Sequence, residues 1–372
     1  MGGHYNFSTI WGGLAGMKQA VQKVKNAGLK AGMHTLSGNI AKTDPYVTPI
    51  PDPRLAKKAV NALSSAVDVA TTYLPLAQPV GKLPSPNGPH LYPAATDVQI
   101  GSEIISYGAL NASGLGAVKR GAYGTKASAH PAGTTLFLLT QVYGGFLPDP
   151  ATNMIDEVAS NIARAYNEVG FEMVYFDGLE GHSATGPFST AMLHQSFFNY
   201  LESDALVESS DSSGFTWHLN TRTGQTDWAA TDRRAFLDYT KGPNMQSARC
   251  SSLDTPDMGW WGYVLYVPGA YYSTTPDECE YMASRVVGWD ASPNFETSVE
   301  AFDANGRTSE CLLRIKRWLA LGSRIPDSAK SVLVAVDTDY ALEGDDISSE
   351  SYIRPGHLHA PKIADPQDSN SL

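Results

Sequence analysis

The pattern that most limits the fold is an amphipathic helix that ends at a glycine and leads at once into an apolar strand, and it occurs twice. Residues 14–28 carry apolar side chains at helical spacing, and a short apolar strand follows at 29–34. Residues 152–170 form the second such helix, and the strand Met173–Phe176 comes after it. A helix joined to an apolar strand by a short link is typical of α/β units around a parallel sheet. The repeat therefore predicts an α/β fold: a (β/α)8 TIM-type barrel or most of one, incomplete at its N-terminus.

Two later helices extend this pattern, although eight strands cannot be counted. The first is predicted at 275–287, where Thr275 and Glu278 have the spacing of a capping box around Pro276. The second is an amphipathic segment at 307–321 that runs into a glycine. Further strand candidates are residues 205–207, 258–266 and 295–299.

Residues 75–142 interrupt the α/β pattern with dense glycine and proline and with short alternating segments, which predict an inserted small β domain. Its pattern RGxxGT followed by HxxG resembles a small β module of phage tail proteins and of insertions in carbohydrate-active enzymes. The residues that form this pattern are Arg120, Gly121, Gly124, Thr125, His130 and Gly133. The predicted domains are residues 1–74 for the first part of the barrel, 75–142 for the β module, 143–330 for the rest of the barrel, and 331–372 for a last strand or the start of a C-terminal β region with a disordered tail.

Charge and composition narrow the possible partners. The net charge of −11, without a basic cluster, argues against nucleic acid and anionic membranes as partners. No apolar run reaches the roughly 18 residues of a membrane span, so no membrane insertion is expected. Seven tryptophans and 18 tyrosines suit stacking on a carbohydrate, although ordinary core or surface packing is the more common explanation for any single ring. The oligomeric state stays open.

The three cysteines are Cys250, Cys279 and Cys311, and they lack the spacing of a zinc site. One disulfide or three reduced thiols are equally compatible with their number. No metal or other cofactor is predicted. No signal peptide is visible, so localisation is unknown, and a secreted or periplasmic location is expected only if the N-terminus is truncated.

The strongest candidate for chemistry is Asp177, which ends the apolar strand in the stretch VYFDGLEGH. In parallel barrels the functional side chains gather at the carboxyl ends of the strands. Gly178 allows a sharp turn, and Glu180 and His182 follow as candidate substrate contacts. The alternative is that Asp177 only caps the loop that follows it.

A second polar cluster follows the predicted strand at 205–207, and Glu208 is its first carboxylate. If the strands that end at Asp177 and Glu208 are neighbours, about 4.8 Å apart, their carboxyl groups can bracket a glycosidic oxygen. Asp177 is then the nucleophile or charge stabiliser and Glu208 the proton donor, with Asp211, Asp227 and Glu180 as rivals for either role. The cluster is also compatible with a polar loop held by ordinary ion pairs. The candidate substrate-binding residues beyond those two catalytic carboxylates are His34, Glu180, His182, Asp211, Trp217, His218, Arg222, Asp227, Trp228 and Trp260.

Three fragments together resemble the (β/α)-barrel glycoside hydrolases of the α-galactosidase-like superfamily: GLKAGMHTLSGNI, VYFDGLEG and MGWWGY. In that superfamily a strand of the form apolar–apolar–Asp–Gly carries the nucleophile, and the resemblance assigns that role to Asp177. The general acid of the superfamily lies on a later strand, which has no counterpart here, so the role of Glu208 is inferred from the residues alone. The inserted β module is not standard for the group. The resemblance implies a glycosidase that acts on oligo- or polysaccharides.

Two other functions are compatible with the sequence. The β module gives some weight to a non-catalytic carbohydrate-binding or phage tail-like structural protein. A metal-dependent deacetylase or amidohydrolase would need a ligand set around His34, Asp177 and His182, and none of these three residues belongs to an HxH or HExxH pattern. Two carboxylates at separate strand ends favour the glycosidase.

Overall fold

A computed structural model describes two compact units, residues 1–221 and 222–372. The residues that the structure describes are 2–81, 83–86, 95–179, 184–186, 188–210, 216–223, 233–241, 255–335, 339–342 and 352–353.

The first unit combines three helices with twelve short strands among its described residues. The helices are α1 (Gly13–Asn26), α2 (Met154–Val169) and α3 (Ser189–Asn199). The strands are β1 (Gly32–Leu36), β2 (Lys57–Ala62), β3 (Leu74–Pro75), β4 (Asp97–Ile100), β5 (Glu103–Ser106), β6 (Ala109–Asn111), β7 (Gly114–Gly116), β8 (Thr135–Leu139), β9 (Gln141–Val142), β10 (Gly145–Phe146), β11 (Met173–Asp177) and β12 (Leu206–Ser209).

A three-stranded parallel sheet in the order β1-β11-β12 positions the candidate site. The helix α2 ends at Gly170, whose φ of +79° allows the chain to reverse into β11. Successive side chains of β11 alternate between the two faces of the sheet. Val174 and Phe176 lie on one face within the main apolar cluster, which also includes much of α2, and Phe176 packs edge-on against Phe197 of α3. The opposite face of β11 carries Tyr175 and Asp177.

The β module consists of a four-stranded antiparallel sheet, β2-β8-β4-β5, a three-stranded sheet, β3-β7-β6, and the hairpin β9–β10. Its centre is the carboxylate of Glu103, which is fully buried. The guanidinium of Arg120 donates to both oxygens at 2.8 and 2.9 Å, and Nε2 of His130 lies 2.8 Å from Oε2. The backbone N–H groups of Gly121 and Ser128 donate to the same carboxylate. The arginine and the histidine of the RGxxGT and HxxG pattern therefore neutralise and orient one internal charge.

The second unit has a helical core. Its helices are α4 (Arg233–Ala235), α5 (Pro276–Trp289), α6 (Val299–Ala304), α7 (Thr308–Gly322) and α8 (Asp327–Leu333), and a π-helix spans Phe236–Lys241. Its two-residue strands are β13 (Arg222–Thr223), β14 (Thr255–Pro256), β15 (Trp261–Gly262), β16 (Phe295–Glu296), β17 (Ala341–Leu342) and β18 (Tyr352–Ile353).

Buried polar groups hold the helices of the second unit together. Arg285 of α5 is fully buried and donates to Asp238 of the π-helix and to the carbonyl oxygens of Leu333 and Ala335. Cys279 of α5 and Cys311 of α7 are free thiols in the same core, and burial raises the pKa of both. Cys250 lies outside the described residues.

The predicted (β/α)8 barrel is wrong. Within the described residues the strands form several separate parallel and antiparallel sheets of two to four strands, and no closed eight-stranded sheet is present. The strands expected at 258–266 and 295–299 are only the pair Trp261–Gly262 and Phe295–Glu296. The apolar run at 258–266 is interrupted by glycines, and apolarity alone cannot separate a strand from a buried loop.

The local predictions are better than the global one. The helices expected at 14–28, 152–170, 275–287 and 307–321 are confirmed, each within a few residues. The capping box between Thr275 and Glu278 is also confirmed. The boundaries of the four predicted domains stay predictions. One of the antiparallel sheets joins β2, at 57–62, to strands from the 75–142 segment.

Candidate functional site

The carboxyl end of the parallel sheet brings the two candidate carboxylates onto neighbouring strands. In the register of β1 with β11, Leu36 is opposite Asp177, and in that of β11 with β12, Tyr175 is opposite Glu208. Since residues two apart on a strand face the same side, Asp177, Tyr175 and Glu208 share one face. The condition set by the sequence, that the strands of Asp177 and Glu208 are neighbours, is confirmed.

Asp177 lies at the carboxyl end of β11, the rim of the parallel sheet, and each of its two carboxylate oxygens contacts a neighbouring group. Oδ1 accepts the backbone N–H of Gly178 at 2.9 Å, and Oδ2 lies 3.2 Å from Nε2 of His34 on β1. The ring of His34 also packs edge-on against Tyr175, with centroids 5.1 Å apart. The side chains of Asp177 and His34 are 29% and 51% exposed, so solvent and a ligand can reach this pair. An ionised carboxylate held by one imidazole and open to solvent can act as a nucleophile, as a base or as a stabiliser of positive charge.

Glu208 differs from Asp177 in its burial, since only 2% of the residue is exposed. The strand that carries it is fixed at its carboxyl end by two hydroxyl groups. Oγ of Ser209 donates to Oδ1 of Asn220, and Oγ of Ser210 accepts the backbone N–H of Leu179 at 3.1 Å. The second bond fixes the end of β12 against the turn that follows β11, and the first fixes it against Asn220 later in the chain.

Gly178 is required by its surroundings. Its φ is +71°, and a Cβ at this position would lie 2.9 Å from Leu36 and 3.0 Å from the ring of Tyr143. Any larger residue would therefore push two side chains away from the rim and adopt a backbone conformation that L-residues avoid. Because Gly178 has no side chain, the ring of Tyr143 can pack against its backbone, next to the carboxylate of Asp177.

Tyr143 is the residue of this edge that the sequence reasoning missed. It occupies the two-residue turn of the hairpin β9–β10 together with Gly144, and both have positive φ values, 51° and 78°. This combination matches the type I′ turn that tight hairpins favour, although tyrosine is an uncommon residue there. The Tyr-Gly pair between two short apolar runs was the available signal. Its position beside Gly178 could not have been found without the tertiary structure.

Four of the other predicted contacts lie on described parts of the chain. His218 lies exposed in a 3₁₀ turn of the first unit that also contains Trp217. Arg222 and Trp260 belong to the second unit, where Arg222 begins β13 and Trp260 is half-buried next to β15. Five predicted residues lie outside the described residues: Glu180, His182, Asp211, Asp227 and Trp228.

Among the described residues, no cluster of three or more histidine, cysteine or acidic side chains has the geometry to hold a metal ion. None of the helices in that part of the chain combines the length and apolarity needed to cross a membrane.

The chain matches no model of a known protein family, and no curated protein matches it either.

Proposed function

We propose that the chain is a glycoside hydrolase that cleaves oligo- or polysaccharides with Asp177 and Glu208. The observation that carries this proposal is the register of the parallel sheet. It places one rim carboxylate and one buried carboxyl group on the same face of neighbouring strands. A pair of carboxyl groups with different environments is the basic requirement of glycosidic bond hydrolysis.

The two environments fit different roles. Nε2 of His34 lies 3.2 Å from Oδ2 of Asp177, and a solvent-accessible carboxylate beside an imidazole suits a residue that attacks the sugar or stabilises its positive charge. Glu208 lies in a buried setting, the kind of environment in which a carboxyl group acts as proton donor to the leaving oxygen. The assignment therefore gives each residue one role.

The geometry of the two strands is compatible with the carboxyl separations that such enzymes use. Glu208 is opposite Tyr175, and Asp177 lies two residues further along β11. Since neighbouring strands lie about 4.8 Å apart and two residues span about 6.6 Å, the Cα atoms of Asp177 and Glu208 are about 8 Å apart. Carboxyl separations of about 5–5.5 Å accompany retention of configuration and about 6.5–9.5 Å accompany inversion. Side chains that lean together or remain parallel cover both ranges, so product stereochemistry is a measurable property of this pair.

A neutral sugar fits the surroundings of Asp177 better than a charged substrate. The ring of Tyr143 lies against Gly178, next to the carboxylate, and the hydroxyl of Tyr5 donates to the carbonyl oxygen of Leu36 at the same edge. Aromatic rings beside carboxylates suit the apolar faces and the hydroxyl groups of a pyranose. The net charge of −11 disfavours polyanionic substrates.

The test is hydrolysis of a panel of aryl glycosides, with α- and β-galactosides first, by the wild type, Asp177→Asn and Glu208→Gln. The matched control is Asp204→Asn, an exposed carboxylate just before the amino end of β12. We expect the first two variants to lose activity and the control to retain it. Proton NMR of the first-formed anomer then distinguishes the roles of Asp177: retention makes it the nucleophile, and inversion makes it the base that activates water.

Two outcomes contradict the proposal. A folded wild-type chain that cleaves no glycoside of the panel, and no polysaccharide, favours a non-catalytic carbohydrate-binding or structural protein. Activity that persists in Asp177→Asn moves the chemistry away from this edge.

A further inference from the structure

A cavity lies within the second unit, at the carboxyl ends of the parallel strands β15 and β16. The cavity has a volume of about 350 Å³, and its walls come from the segment after β15 and from the end of β16. Leu265, Val267 and Tyr271 contribute apolar surface, and Glu296 and Thr297 contribute polar groups. Cavities of this size, largely apolar with a few polar groups, are typical of small-molecule sites.

The loop that forms one wall, residues 263–274, is anchored by its own hydrogen bonds. Val267 and Tyr271 exchange backbone hydrogen bonds across a turn that contains Gly269, which has a φ of +73°. At the base, Oγ1 of Thr274 accepts the N–H of Val264 at 3.0 Å, and Nδ2 of Asn305 donates to the carbonyl of Thr274. The cavity wall is therefore formed before any ligand binds, which lowers the entropic cost of binding.

The same loop presents two tyrosine rings to solvent. Tyr266 and Tyr272 are 59% and 56% exposed, and their ring centroids are 6.4 Å apart at an interplanar angle of 36°. Val267 between them in the loop is also exposed. Contiguous exposed apolar surface beside a cavity marks a binding site more often than scattered exposed residues do.

We propose that this loop and the end of β16 form a binding site for a neutral saccharide within the second unit. Tyrosine rings pack against the C–H face of a pyranose, while the carboxylate of Glu296 and the hydroxyl of Thr297 accept and donate hydrogen bonds to sugar hydroxyls. Glu296 disfavours an anionic ligand in the same place. The choice of a saccharide as ligand rests on the proposed function, but binding here does not depend on hydrolysis at Asp177.

The experiment uses the full chain with Asp177→Asn, labelled with 3-fluorotyrosine, and ¹⁹F NMR titration with neutral gluco-, xylo-, manno- and galacto-oligosaccharides. Tyr266→Phe and Tyr272→Phe assign the two resonances. Tyr266 and Tyr272 adjoin the lining residues Leu265, Val267 and Tyr271 in the loop, so we expect both resonances to shift with at least one oligosaccharide. The resonance of Tyr239, an exposed tyrosine outside this loop in the same unit, is expected not to shift. Because a ¹⁹F label reports on its own surroundings, shifts of these two resonances report binding at this loop of the second unit.

Two variants test the contacts. Tyr272→Ala and Glu296→Gln are each expected to raise the dissociation constant about tenfold, which corresponds to one lost contact, and Tyr239→Ala is expected to leave it unchanged. Both residues are exposed, so these variants are expected to fold. Absence of a shift at Tyr266 and Tyr272 with every oligosaccharide overturns the proposal, and so does binding that neither variant weakens. A chain that binds here but hydrolyses nothing would refute only the hydrolase function.

Discussion

Two carboxylates of the first unit, Glu103 and Asp177, both bind a histidine, yet their surroundings are opposite. Glu103 is fully buried and receives five hydrogen bonds, from Arg120, His130 and two backbone N–H groups. Asp177 receives one backbone N–H and one contact from His34, and part of its side chain faces solvent.

The difference separates the structural charge of Glu103 from the role that we propose for Asp177. A buried ion stays in a folded protein only if its partners use its hydrogen-bonding capacity, and Glu103 has little capacity left for a ligand. Asp177 keeps an accessible surface at the end of a parallel strand, where sites collect. The strand that ends in Asp177 and the arginine and histidine that bind Glu103 both belong to recognisable sequence patterns. The number of hydrogen-bond partners inside the protein, and not the pattern, therefore separates the two carboxylates.

The largest stability effect is expected for Glu103→Gln. The substitution leaves the buried guanidinium of Arg120 without its counter-charge, so we expect a loss of about 3–5 kcal/mol in the free energy of unfolding. Urea denaturation measures it, with Asp204→Asn as the control. A Glu103→Gln variant as stable as the wild type would show that the cluster is not structural and would remove the contrast with Asp177.

The stability of the β module is expected to depend on pH in the acid range. Burial alone would raise the pKa of Glu103, but the hydrogen bonds from Arg120, His130 and two backbone N–H groups outweigh it and hold the pKa below its ordinary value. A lowered pKa contributes stability that is present above the unfolded value of about 4.3 and is lost as pH falls through the folded value. Denaturation at a series of pH values between about 5 and 3 should therefore show a steeper loss in the wild type than in Glu103→Gln. Equal slopes would contradict the assigned partners.

Gly178→Ala is expected to have an intermediate effect. Positive φ at a non-glycine residue costs roughly 1–2 kcal/mol, and the close contacts with Leu36 and Tyr143 add to it. Gly101→Ala is the matched control, because Gly101 also has a positive φ, +58°, but faces open space. The difference between the two variants in unfolding free energy isolates the crowding at the rim. No difference would mean that Tyr143 does not lie against Gly178.

The smallest stability effect is expected for His34→Gln. The pair with Asp177 is partly exposed, so its loss should change the free energy of unfolding by less than about 1 kcal/mol. Chemical denaturation beside Glu103→Gln measures this. A loss as large as that of Glu103→Gln would place His34 among structural residues and weaken the comparison.

The sequence predicts the local elements of this protein better than its architecture. Helix α2, the glycine that ends it and β11 follow from periodicity and from capping, which are local properties. The sequence leaves the pairing of β11 with β12 as a condition, because the partner of a strand is not a local property, and only the structure shows that these two strands are neighbours. The apolar segments after residue 255 predict barrel strands, but the structure has only two-residue strands there. The length of a strand depends on the strand that pairs with it, and a single sequence does not identify that partner.

The site was predictable in part for the same reason. Asp177 and Gly178 stand next to each other in the chain, so their pattern is visible. Tyr143 reaches them from a hairpin more than thirty residues away, and Arg120 and His130 meet Glu103 through strand pairing. Contacts between distant segments depend on the tertiary structure, and no periodicity encodes them.

The most direct test of the account measures glycoside hydrolysis and urea unfolding on the same preparation of Asp177→Asn. The account predicts that kcat falls by on the order of 10⁴-fold while the free energy of unfolding changes by less than about 1 kcal/mol, because Asp177 serves the reaction and not the fold. Unchanged activity, or a stability loss that accounts for all the lost activity, would contradict it.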